Sequence, residues 1–380
     1  MQSLRSLLSS IGTRAGAAGP GRSADLEEAD VYAKDGEKYF IVDSHMHYWD
    51  ATPANWVPGA EQYAKGWIEC FHAYQSLGPS QTHWTIEKFE GYTEDDLMKD
   101  LFEEGHVDVA ITQPTYLKEW YTNGFNTTER NAALAEKHPG KFIANTRFDP
   151  RDGDNGLEEL RRNVERYGCT GVKLYTAEWN NGSRGYKLSD PAAYRFLEKA
   201  QELGIKNVHV HKGPTIWPLD KDAFDVSDVD HAATDFPDLN FIVEHVGLPR
   251  IEDFCFMATQ EPNVYAGLSV VIGGLMHARP KFFAKVMGEL LFWVGEDKMT
   301  FGSDYGIWEP KWQVEGFVDW QMPDDDELSD YAKLTTAAKK KILGLNAAKL
   351  YDIEVPAEFL VPAQAGAPAA KDDAKLVTDA

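Results

Sequence analysis

The sequence predicts an α/β fold: a closed (βα)8 barrel of the TIM type, with a long aromatic insertion after the first strand. Three observations carry this. Eight short β-rich runs recur along the chain, helical patterns separate them, and no glycine-rich turn follows the first run. Repeated strand–helix alternation means parallel βα units. Most runs are continuous apolar stretches, as in strands covered on both faces. A doubly wound sheet would normally advertise a phosphate-binding turn after its first strand, and SHMHYW stands there instead. The body, residues 38–355, has the length of one barrel.

In order, the runs are YFIVDSH (39–45), VDVAITQ (107–113), KFIANTR (141–147), GVKLY (171–175), KNVHVH (206–211), NFIVEHV (240–246), NVYAGLSV (263–270) and KMTFGSD (298–304). Helices are expected over 94–104 after Thr93, 127–137 after Asn126, 156–167, 191–203 after Ser189-Asp190, 248–260 and 280–293. Residues 306–323 read as a loop that replaces or delays the helix after the eighth strand. One or two helices follow over 327–345. The Asp324–Glu327 run suits a solvated helix start, since acids favour helix N-termini.

Residues 48–92 form a 45-residue connection rich in aromatic side chains, Trp49 among them. Such a segment is expected to pack on the barrel rim, to close over a substrate as a lid, or to supply a subunit interface. Residues 1–37 read as a flexible leader, and 356–380, rich in Ala, Pro and Asp, as a disordered tail. The Ser/Arg/Ala bias of the first 24 residues also resembles a mitochondrial transit peptide. A cytoplasmic chain is the simpler expectation.

The formal net charge is −23. It argues against nucleic acid and anionic membrane surfaces as partners. Hydrophobic content of 43% excludes a disordered acidic chain. Three scattered cysteines offer neither a disulfide framework nor a CxxC metal site. No apolar run is long enough to span a bilayer. The partners expected are a small-molecule substrate and a second copy of the chain, as a homodimer or higher oligomer.

Chemistry in a (βα)8 barrel sits at the carboxyl ends of the strands. Those ends carry Asp43, His45, His47, Arg147, Lys173, His209, His211, Glu244, His245 and Asp304. Residues two apart in a strand share a face, so His45 and His47 can present both imidazoles to one ion. His211 and Asp304, from other strands, can close the site. Three histidines and a carboxylate suit one divalent metal, Zn²⁺ first, with Mn²⁺ or Fe²⁺ as alternatives. His209 shares a face with His211, so either can be the fifth-strand ligand. Arg147 is suited to an ion pair or, through its fork of donors, to a substrate carboxylate. Trp49, Trp308 and other tryptophans after the strands make the mouth aromatic, which fits a flat or unsaturated substrate.

The ordered motifs IVDSHMH, the segment running into GVKLY, VHVHKG, IVEHVG and FGSDYG resemble those of the amidohydrolase superfamily. In particular they resemble its amidohydrolase-2 branch, similar to aminocarboxymuconate-semialdehyde decarboxylase, over about residues 40–350. The resemblance implies a metal held by His45, His47 and His211, with Asp304 as a further ligand or base. It favours His211 over His209. It implies His245 as an acid/base beside the metal. Lys173 falls where some branches carry a carboxylated lysine bridging two metals, but GVKL also occurs in branches with one metal or none. Lys173, Arg147, Trp49 and Trp308 are the substrate-binding candidates.

Two enzyme readings follow: a metal-dependent hydrolase that activates water, or a non-oxidative decarboxylase of an aromatic or dienoic acid. A third class, a non-catalytic barrel kept for binding, sits poorly with a complete ligand set.

Overall fold

The computed structural model describes residues 31–361 and the backbone of residues 22–23. Residues 1–21, 24–30 and 362–380, which hold most of the expected leader and tail, lie outside the described residues. Eight strands build the barrel: β1 (Val42–Met46), β2 (Val109–Thr112), β3 (Phe142–Ala144), β4 (Gly171–Leu174), β5 (Asn207–His211), β6 (Asn240–Glu244), β7 (Val264–Gly267) and β8 (Met299–Thr300). β1 to β3 pair in sequence order, as do β4 to β8, and all pairings are parallel. Two single parallel bridges close the ring, Thr146 with Val172 and Met46 with Tyr305.

Helices follow the strands as the sequence requires. After β1 come α1 (Glu61–Ala73), α2 (Ile86–Glu90) and α3 (Glu94–Met98), the last extended by a wider turn to Glu103. Thr93 and Asp96 form a reciprocal capping box at α3. After β2, α4 (Thr128–Lys137) is capped by Thr127, whose hydroxyl accepts from the Arg130 N–H. α5 (Gly153–Tyr167) ends at Gly168, φ 64°, a left-handed position that glycine takes without steric cost. α6 (Pro191–Glu202), α7 (Ser227–Asp235), α8 (Ile251–Gln260) and α9 (Pro280–Trp293) complete the interior units.

Three expectations need correction. The segment read as a loop over 306–323 contains α10 (Pro310–Asp319). Val314, Phe317 and Val318 give it a buried i, i+3, i+4 stripe, and Gly316 lets the Met276 methyl pack close. Residues 32–37, assigned to the leader, belong to an antiparallel hairpin of Tyr32–Lys34 with Glu37–Tyr39. At the other end, Phe359 of the expected tail is buried, its ring 5.7 Å from that of Phe40. Both ends extend further because their rings find apolar cover. The Asp324–Glu327 run leads into a single turn, Asp326–Leu328, where the Asp325 carboxylate accepts from the Glu327 N–H.

The 48–92 segment folds onto its own barrel. Trp49, Trp67, Phe89 and Tyr92 are buried. Rings covered within the chain pack this segment on the barrel rim. Trp67, Phe71 and Tyr74 also face the barrel mouth.

The inward faces of the strands are layered. Val109 and Ile111 precede Gln113, Ile143 precedes Asn145, and Ile242 precedes Glu244, each two residues apart and so on one face. The lower residues pack with Val42, Leu350, Tyr351 and Phe359 in one apolar cluster. Above them the interior becomes ionisable.

Candidate metal centre and cavity

β1 carries His45 and His47 to the mouth. Their Nε2 atoms lie 3.2 Å apart. Asp304, just past β8, places Oδ1 3.2 Å from His47 Nε2 and 3.6 Å from His45 Nε2. These three residues each offer one ligand atom within 4.8 Å of the others. The Lys173 ammonium stands 3.1 Å from His45 Nε2. Asp304 and His245 both sit at positive φ, 58° and 67°. Backbone strain of this kind persists where the surroundings fix it, often at sites of function. The fit is close: a Cβ on Gly302 would lie 2.5 Å from His45 Cβ, and one on Gly213 2.3 Å from His245 Cβ.

Each histidine is oriented by a second group. His47 Nδ1 donates to the Gln113 carbonyl at 2.8 Å. His45 Nδ1 lies 2.8 Å from Glu244 Oε2, without the alignment of a full hydrogen bond. His211 Nε2 donates to the Pro214 carbonyl at 3.2 Å, which leaves Nδ1 as the acceptor. That Nδ1 lies 3.1 Å from His245 Nε2, and His245 Nδ1 meets Ser269 Oγ at 2.9 Å. Such outer partners set which ring nitrogen keeps its lone pair. In His45 and His47 the lone pair is on Nε2, toward Asp304, and at His45 it also faces the Lys173 ammonium. In His211 it is on Nδ1, where the His245 Nε2–H donates to it.

Electrostatics agree with ligation. Burial holds His45 well below the usual imidazole range, with the Lys173 charge adding to it. Burial does the same to His211 and His245. Burial alone would raise the Asp304 carboxyl, but His45, His47 and Lys173 outweigh it and hold it below its usual range. Lys173 is pushed down to about 8 by burial, against the pull of Glu244 and Asp304. Neutral imidazoles and an anionic carboxylate are the protonation states a divalent ion needs. The donor set therefore fits one.

Above this floor lies a cavity that opens toward solvent. Trp67, Phe71, Phe125, Tyr175, Ile216 and Trp308 line its walls, and His45, His47, Lys173, His211, His245 and Asp304 its polar end.

Two candidates stand elsewhere. Arg147 does not line the cavity: its guanidinium lies 4.3 Å from the Tyr116 ring, with Glu178 and Asp152 each at 3.8 Å. The acids beside β3 and β4 draw it away from the mouth. Trp49 does not line it either. It is buried behind His47, stacked on Phe125 at 5.1 Å, and its indole N–H donates to the Phe89 carbonyl at 2.6 Å. His209 has both nitrogens engaged, with Glu244 Oε1 at 2.5 Å and the Tyr351 hydroxyl at 2.7 Å. It serves as a structural link and not as a ligand.

Glu244 has a role that reading strand ends left unassigned. It touches His45 and His209 together, and it is fully buried. Its position two residues beyond apolar Ile242, on the inward face, was the available signal. Tyr351, Gln113, Ser269 and the Pro214 carbonyl carried no comparable one.

The amidohydrolase family model, of the amidohydrolase-2 type, matches residues 42–353. Comparison with curated proteins gave no match. Among solved structures, an uncharacterised TIM-barrel protein from Bordetella bronchiseptica superposes with a TM-score of 0.59 at 18% identity, covering 82% of this chain and 98% of that one. A 5-carboxyvanillate decarboxylase from Novosphingobium aromaticivorans, complexed with manganese and 4-hydroxy-3-methoxy-5-nitrobenzoic acid, gives 0.54 at 17% identity, covering 83% and 96%. A 2,6-dihydroxybenzoate decarboxylase from Rhizobium gives 0.52 at 14% identity, covering 82% and 98%. At these identities the likeness shows a shared barrel fold. The family match spans the barrel from β1 to the segment after β8, and the chain belongs to the amidohydrolase family, in its amidohydrolase-2 branch.

Proposed function

We propose that this chain is a metal-dependent, non-oxidative decarboxylase of an aromatic acid that carries a hydroxyl beside its carboxylate. The observation that supports it is the cavity, whose aromatic walls lead to one ionisable end holding Lys173 and the donor set. A flat ring with a single acidic edge matches that division. The two decarboxylases similar in fold act on acids of this kind by name.

His45, His47 and Asp304, with His211 through Nδ1, would hold the ion. When bound, it would supply positive charge to anchor the carboxylate and neighbouring oxygen. Zn²⁺ suits the donors, and Mn²⁺ gains support from the manganese-bound neighbour. Lys173 adds a second positive charge at that end. Asp304 accepts the hydroxyl proton and returns it to the ring carbon. The carbon–carbon bond breaks, its electron pair forms the new C–H bond, and CO₂ leaves. The product phenolate regains its proton from solvent.

Hydrolysis is the second reading. It draws on Asp304 being held as a carboxylate, a competent base for water. The experiment incubates Mn²⁺- and Zn²⁺-loaded protein with a panel of hydroxybenzoates, beside lactones and amides. CO₂ is expected from ortho-hydroxy acids. Hydrolysis of any lactone or amide, with no CO₂ from any aromatic acid, would replace the decarboxylase reading.

A further inference from the structure

The loop after β5 and helix α1 face each other across the mouth. The loop gives Pro214 and Ile216 to the cavity wall, and α1 gives Trp67 and Phe71. Between them lies Trp217, 51% exposed although its ring rests on protein. The ring covers Gly66 of α1, where a Cβ would come within 2.2 Å of Trp217 Cζ3. A glycine inside a helix weakens it against alanine, so this position trades helix stability for the indole's seat. One turn earlier, Tyr63 lies 5.9 Å from the Trp217 ring and 5.2 Å from that of Trp179, which follows β4. Segments after three strands thus meet through aromatic rings at this edge.

The same loop reaches the metal centre. Three residues before Trp217, the Pro214 carbonyl accepts from His211 Nε2. That bond fixes the imidazole tautomer and leaves Nδ1 as the acceptor. Gly213 is pressed against His245. Displacement of the loop would therefore disturb His211 and widen the gap between Ile216 and Trp67 together.

We propose that Trp217, seated on Gly66, is a latch: a positioning residue that holds the β5 loop closed and, through the Pro214 carbonyl, holds His211 in its ligand tautomer. The indole is half in solvent and held by ring contacts, so it can leave its seat without breaking a buried hydrogen bond. Opening admits substrate, and reseating restores the His211 geometry. The latch rests on the donor set and not on which reaction the site performs.

The test titrates Co²⁺ alone into metal-stripped full-length protein, in competition with a chromophoric chelator. Trp217→Ala removes the latch, Gly66→Ala pushes the indole off its seat, and Trp217→Phe keeps a ring there. Losing an orienting partner of a ligand typically weakens metal binding by roughly 10–100-fold. A loss of that order is expected for Trp217→Ala and Gly66→Ala, with Trp217→Phe restoring affinity to within about threefold, a pattern that a merely structural loss would not give. Should Trp217→Ala fail to fold, Gly66→Ala carries the test. Wild-type affinity in both disruptive variants would overturn the latch. If wild-type protein takes up no Co²⁺, the donor set itself is overturned and the latch with it.

Discussion

The lower and upper interiors of the barrel are built on the same strand faces, two residues apart, yet they have opposite contents. Below, Val109, Ile111, Ile143 and Ile242 pack against Leu350, Tyr351 and Phe359. Above, Gln113, Asn145, Lys173, Glu244 and the histidines fill the same channel. The lower layer stabilises the fold by removing apolar surface from water. The upper layer contains buried ionisable groups that cost stability unless paired. One periodicity thus serves two purposes, and the change from isoleucine to glutamate along β6 marks the boundary.

The sharpest way to break this division is at the ligands. His45→Ala and Asp304→Ala are each expected to abolish turnover while leaving the far-ultraviolet circular dichroism intact. Full activity in both variants would place the chemistry elsewhere. The lower layer should respond in the opposite sense. Ile242→Ala leaves a cavity and should cost about 2–5 kcal/mol of unfolding free energy, with kcat nearly unchanged. A collapse of kcat in the still-folded variant would show that the two layers are coupled.

The smallest effect is a slope. In metal-free protein His45, His211 and His245 are held below the ordinary imidazole pKa near 6.5 by burial. Between that value and their lower native ones, the unfolded chain binds more protons than the native chain. Stability then falls as pH drops below about 6.5. The denaturation midpoint should decline from pH 7 to pH 5, and less so in His245→Gln. Ile242→Ala should shift the whole curve without changing that slope. Identical slopes in wild type and His245→Gln would contradict the buried-neutral assignment.

Much of the upper layer was legible because its signals are local. His45 and His47 are spaced for one strand face, and His211 and Asp304 close strand-like runs. The barrel itself was legible from eight repeats of one pattern. What escaped depends on contacts remote in sequence. Arg147 ends a strand-like run as a substrate-binding arginine would, but Glu178 and Asp152 pull its guanidinium aside. Trp49 belongs to an aromatic-rich segment, yet its ring is sealed among Phe71, Phe89 and Phe125. Glu244 and His245 are adjacent, and only the turn to positive φ at His245 separates their roles. α10 was hidden because Gly316, which its packing against Met276 requires, reads locally as a helix breaker.

The Tyr351 hydroxyl lies late in the chain and deep in the barrel, joined through His209 and Glu244 to His45. A ribosome makes His45 early and Tyr351 some 300 residues afterwards. Until that phenol arrives beneath the channel, His209 lacks its second partner and Glu244 is anchored less firmly. The candidate metal centre is therefore complete only once residue 351 has been made. A nascent chain has little means of gripping an ion before the barrel that encloses it is complete.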